Sequence, residues 1–162
     1  MTNAKNHKEL IFPKNYGSGS SFVGGSADDD RLTIRYFIDD SGVFYSRSVF
    51  GRNAQGPPAH VHGGAMAAVL DETLGLAAWV AGYPIVSANL NVTYVNMLPL
   101  NTEVTVMTKI ESVEDRKVLV SGEMKDESGK IYSKATVLCI IKSVEMLGSV
   151  DFREYIESRL KQ

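Results

Sequence analysis

Residues 60–79 constrain this chain more than any other stretch: His-Val-His-Gly-Gly-Ala-Met-Ala-Ala-Val-Leu-Asp-Glu-Thr-Leu-Gly-Leu-Ala-Ala-Trp. Past the paired glycines the run is made of helix-favouring residues, and its apolar positions leave almost no polar side. A helix of that kind must be surrounded rather than laid on a surface. One flat sheet face covers only one side of it, so the rest of the chain has to curl around it. Asp71 and Glu72 fall at its centre, with no Lys or Arg near them in sequence. Burying an unpaired carboxylate costs several kcal/mol or shifts its pKa. That cost makes Asp71 the first candidate for chemistry. Glu72 points about 100° away around the helix and reads as structural. The run from Gly63 to Gly82 is long enough for a membrane span. Each central carboxylate would cost about 3 kcal/mol in lipid, so a buried core helix is the better reading and no membrane insertion is expected.

Downstream of Gly82 the period changes. From Asn89 to Asn96 polar and apolar residues alternate, as in a half-buried strand. Pro99 breaks it. Glu103–Glu111, Val118–Lys125 and Ile131–Ile141 follow as strands, joined by turns at Glu114-Asp115-Arg116-Lys117 and Ser128-Gly129. Upstream, Leu32–Ile38 and Val43–Phe50 form a hairpin across Asp39-Asp40-Ser41-Gly42. Hairpin-length connections make the sheet antiparallel. The fold class is therefore α+β, a curled antiparallel sheet of about six strands around one long central helix. Residues 1–26, rich in Gly and Ser, read as a flexible lead-in; 27–142 form the domain; 143–162 form a tail in which Phe152–Leu160 has helical spacing.

The 162 residues suit one domain with its own core. A net charge of −2 argues against a nucleic-acid partner. The chain's start has no secretory apolar region, and the single cysteine, Cys139, sits in an apolar strand. A reducing, cytoplasmic setting is the expectation.

Gly56-Pro57-Pro58, His62-Gly63-Gly64-Ala65, Asp71 nine positions after the histidine, and Ser87-Ala88-Asn89-Leu90-Asn91-Val92-Thr93-Tyr94 together resemble the hot-dog-fold acyl-CoA thioesterases. The likeness is to the PaaI-like branch that includes the mammalian mitochondrial long-chain enzymes, and it covers about residues 30–142. It implies a hot-dog fold, homodimers that can pair into tetramers, and hydrolysis of acyl-CoA in lipid metabolism with no metal or organic cofactor. It makes Asp71 the catalytic carboxylate and assigns Gly63 and Gly64 as helix-start amides that polarise the thioester carbonyl. Ser87 falls where relatives carry a hydroxyl assisting the attacking water. His62 is read as orienting the loop. Asn91 shares the polar face of its strand with Thr93. Thr93, Val95, Arg116 and Ser121 fall at substrate- or CoA-contacting positions, and Lys117 adds a second cation beside Arg116. Relatives carry an Asn shortly before His-Gly-Gly; here Asn53, Gln55 or neither fills that role. Val95 stands where some relatives have a basic residue. His60 and His62 alternate, but two histidines and a distant Asp are a poor zinc set.

The chemistry fits these residue types. Helix-start amides are unpaired donors at the positive end of a dipole. Asp71 acts as general base on water or as nucleophile. Gly64 and Asp71 are seven residues apart, about 10 Å along a helix. Both cannot reach one carbonyl from the same straight helix, so Asp71 of one subunit is expected to serve the glycine amides of another. A non-catalytic acyl-CoA or protein-binding domain is the alternative, and a dehydratase on the same fold resembles the chain less.

Overall fold

A computed structural model describes residues 7–11, 22–23 and 30–143. The helix expected over 152–160, like most of the lead-in, lies outside the described residues. A 7-stranded antiparallel sheet forms from β1 (Lys8–Leu10), β2 (Leu32–Ile38), β3 (Phe44–Phe50), β4 (Ile85–Tyr94), β5 (Glu103–Glu114), β6 (Lys117–Lys125) and β7 (Ile131–Ile141). The spatial order is β1-β2-β3-β5-β6-β7-β4. The helix α1 (Gly63–Val80) packs against β3 through β7, as its apolar circumference requires. The seventh strand comes from the stretch read as lead-in: Lys8–Leu10 pairs with Tyr36–Ile38, and an Arg35–Glu9 ion pair ties the two strands together.

The core is continuous between helix and sheet. Val69, Leu70, Leu74 and Ala78 from α1 meet Val104, Val106, Val118, Val120 and Val137 from the strands. Gly122 on β6 permits the close approach: a Cβ there would stand 2.7 Å from Leu74 Cδ1 and 3.0 Å from Met107 O. A buried polar contact on this side, between Thr73 and Ser46, is satisfied internally. Thr73 Oγ1 donates to Val69 O at 2.7 Å and pairs with Ser46 Oγ at 2.8 Å.

Among the described residues β4 is an edge strand, paired only with β7, and of its residues only Ile85 is buried. It begins four residues before the alternating run that marked it in sequence. Within it Ser87 pairs with Cys139 and Asn89 with Leu138, a one-residue bulge at Ala88. The bulge changes which face follows which residue. Ser87 shares the helix side with the buried Cys139, whereas Asn89, Asn91 and Thr93 face away from the helix.

Candidate functional site

α1 starts where the sequence places it. His62 is the N-cap, with extended backbone, and its Nδ1 accepts the Gly64 N–H at 2.9 Å. The loop before it is held rigidly. His62 N–H donates to Ala54 O, Val61 N–H to Leu98 O, and His60 Nδ1–H to Pro58 O. Gly56 fits against this turn because a Cβ would come 2.8 Å from His62 Cα. Tyr94, the last residue of β4, closes over the helix start and donates its hydroxyl to Gly63 O at 2.9 Å. Beside them lies a cleft of about 250 Å³ lined by Pro57, His60, Gly63, Met66, Tyr94 and Val95, among others.

These contacts distinguish two glycines that the resemblance treats alike. Gly63 and Gly64 were both assigned as donors to a substrate carbonyl, but His62 already takes the Gly64 N–H. The Gly63 N–H has no acceptor among the described residues. Gly63 is therefore the available donor and Gly64 belongs to the cap.

Two turns along α1, Asp71 is half-buried and has no cationic partner among the described residues. Its Oδ1 accepts the Ser87 hydroxyl at 2.8 Å. Beneath them Cys139 is fully buried, and its thiol is pushed up to about 11 by burial, with the Asp71 charge adding to the shift and a Ser87 hydrogen bond opposing it. A thiol held protonated is no nucleophile. Glu72 is half-buried on the same uncovered side of α1; desolvation raises its carboxyl pKa, and Asp71 raises it further.

The structure brings Asp71 to Ser87, and His62 to Gly63, Gly64 and Tyr94. It does not join the two groups within one chain. Val95 is exposed beside the Gly63 cleft. Asn91, Thr93 and Ser121 lie on the outer face of the sheet, in a shallow groove of about 230 Å³ shared with Glu123, Lys134 and Thr136. There the Ser121 hydroxyl is engaged by Glu111 at 2.5 Å. Arg116 and Lys117 are exposed at the β5–β6 turn. That turn is bonded to the end of β7, where Ile141 N–H donates to Arg116 O and the next amide, Lys142 N–H, donates to Pro84 O in the loop before β4. Gln55 serves its own loop: its Oε1 accepts the N–H of Ala59, which sits at φ 63°. Asn53 follows in the short 3₁₀ turn Arg52–Ala54, its N–H bonded to Asp30 O. Tyr94 is the site residue that sequence reasoning gave no role at the helix start; its alternation with Leu90 and Val92 was the available signal.

A family model described as the thioesterase superfamily matches residues 59–133. That span holds the N-cap, both glycines, Asp71, Ser87 and the strands around them. Residues 59–133 are thus similar to the thioesterase superfamily. Among similar proteins, the mouse acyl-coenzyme A thioesterase THEM4 is 40% identical over 91 residues, 56% of this chain and 39% of that protein. The chain thus spans well under half the length of that relative. A solved structure of a thioesterase superfamily protein aligns at TM-score 0.63 and 28% identity, over 67% of this chain and 53% of the other. A thioesterase protein with coenzyme A from Streptococcus pneumoniae shares the fold at TM-score 0.63 and 16% identity, over 70% of this chain and 90% of that one. Among the described residues no helix is long and apolar enough to cross a membrane.

Proposed function

We propose that the chain is a cytoplasmic acyl-CoA thioesterase of lipid metabolism that works as a homodimer with shared active sites. One observation carries the reading: a half-buried carboxylate on the central helix, Asp71, has a hydroxyl partner in Ser87 and no cation among the described residues. Such an arrangement leaves Asp71 Oδ2 free to act on water or on a thioester carbon. The Gly63 N–H supplies the second requirement, a donor for the oxygen on which charge develops. A single donor of this kind is worth about 2.7–4 kcal/mol in the transition state.

Within one chain these groups are eight residues apart along α1, about 12 Å, too far to meet at one carbonyl. A second copy resolves the distance. β4 is a long exposed edge with a free row of backbone donors and acceptors. Two β4 strands paired antiparallel about a two-fold axis set the Ser87 end of one against the Tyr94 end of the other. Asp71 of one subunit then faces Gly63 of its partner. The same reversal carries Arg116 and Lys117, whose turn is bonded to the end of β7, towards the partner's Gly63 cleft, where CoA phosphates suit the arginine fork. Val95 borders that cleft, and Asn91, Thr93 and Ser121 on the outer face suit the remainder of CoA.

The relatives' printed names support acyl-CoA as the substrate class, and the fold likeness to a thioesterase holding coenzyme A supports CoA binding. The test is release of free thiol from a panel of acyl-CoAs of different chain length. Steady turnover that Asp71→Asn removes is the expected result. Saturable acyl-CoA binding with no thiol release would replace this reading with a binding domain.

A further inference from the structure

The Gly63–Gly64 peptide is held at both of its polar ends. Its carbonyl oxygen accepts from the Tyr94 hydroxyl at 2.9 Å, and its N–H donates to His62 Nδ1 at 2.9 Å. These two atoms belong to one rigid planar unit, so the two side chains together fix its orientation. Holding is needed there. Glycine is a weak helix former, and paired glycines at a helix start leave the first turn free to fray. The Gly63 N–H keeps its direction only while that turn stays formed.

Packing supports the same role. A Cβ on Gly63 would lie 3.2 Å from Tyr94 Cζ and 3.3 Å from its hydroxyl oxygen, so the ring rests directly on the glycine. A Cβ on Gly64 would lie 3.0 Å from His62 Nδ1. Tyr94 is itself anchored although it ends an edge strand. The next two amides, Val95 and Asn96, both donate to Tyr132 O at 2.8 and 3.1 Å. The Asn96 side chain donates to Ile131 O at 2.7 Å.

We propose that Tyr94 is a positioning residue for thioester hydrolysis: with His62 it clamps the Gly63–Gly64 peptide and keeps the Gly63 N–H aimed at the substrate carbonyl. The proposal rests on the hydrolytic reading above. Tyr94 forms no bond to the reacting atoms; it acts through the peptide it holds. Its role differs from that of a ring lining the cleft, because the hydroxyl rather than the aromatic surface carries it.

Tyr94→Phe keeps the ring and removes the clamp's upper contact. The expected result is a fall in kcat of about tenfold at nearly constant KM, smaller than the 10²–10³ loss typical of deleting an oxyanion donor outright. Addition of His62→Ala should bring much less than a multiplicative further loss, since either change frees the same peptide. Amide hydrogen exchange gives a readout independent of turnover. Exchange at Gly64 should accelerate at least tenfold in Tyr94→Phe, while the core amide of Val137 keeps its rate. A kcat within twofold of the unsubstituted protein, a change confined to KM, or unaltered Gly64 exchange would overturn the clamp. Lack of thiol release by the unsubstituted chain would instead overturn the hydrolytic reading, and the exchange experiment would still report on the clamp.

Discussion

Glu72 is a carboxyl that the fold holds against its preference for water. Its pKa is raised above the ordinary 4.5, first by desolvation and then by Asp71. The folded state therefore binds its proton more tightly than the unfolded state does. Its contribution to stability falls as pH rises from 4.5 through the raised value and stays low above it. Glu72→Gln should raise the Tm at neutral pH, and the gain should vanish as pH drops below the ordinary value; a pH series of thermal melts checks this. Asp71→Asn keeps the size of the side chain and its Ser87 contact but loses the base, so kcat should fall by about 100-fold or more with the fold intact by circular dichroism. Cys139, buried and shifted up to about 11, should resist alkylation in the native protein and react only on unfolding. At this scale Asp71 stood out in the sequence as a carboxylate without a cation in an apolar helix, and the structure places it half-buried with Ser87 as its hydrogen-bond partner. The split between Gly63 and Gly64 was not legible. It depends on which ring nitrogen of His62 turns inward, and sequence carries no trace of that.

α1 and the sheet meet most tightly where Leu74 crosses Gly122. Gly122→Ala drives a methyl to within 2.7 Å of Leu74 Cδ1 and 3.0 Å of a backbone oxygen. The side chain can turn aside, but the carbonyl cannot, so a loss of about 1–3 kcal/mol is expected in denaturant titration. The helix was readable nearly to the residue: the run from Gly63 to Gly82 marks it, and it spans Gly63–Val80, with Gly82 at φ 93° beyond it. The cap, the double glycine and the terminal glycine are local signals, and local signals survive in sequence. β7 was equally clear. β5 runs three residues past its expected end, because the tight turn at Asp115, φ 50°, needs fewer residues than the charged cluster suggested. β1 escaped notice because three residues, Lys8–Leu10, are too few to show a period; their pairing with β2 makes them a strand.

For the whole molecule the decisive expectation is that no single chain carries a complete site. Gly63→Pro deletes one half: proline is well tolerated at the first helical position, His62, at φ −64° and ψ 134°, already has the backbone that precedes proline, and the added Cβ, 3.2 Å from Tyr94 Cζ, asks the Tyr94 ring to move aside by a few tenths of an ångström. Neither Asp71→Ala nor Gly63→Pro homodimers should turn over acyl-CoA. Mixed dimers should recover up to about half the activity per dimer, because one of their two sites escapes both lesions. Verified mixed dimers without recovery would count against shared sites. Sedimentation should also give a dimer mass, with activity lost on dilution below its dissociation constant. The curled sheet around one helix was legible from the helix's apolar circumference. The sidedness of β4 was not. Regular alternation assigns Ser87 to the same side as Asn89, Asn91 and Thr93, whereas it sits with Cys139 and Asp71. Ala88 is thus a phase slip in the strand. Deleting that one small residue would make Ser87 and Asn89 direct neighbours on opposite faces, an even two-step rhythm in which the hydroxyl keeps Asp71 as its companion and the strand loses only its kink.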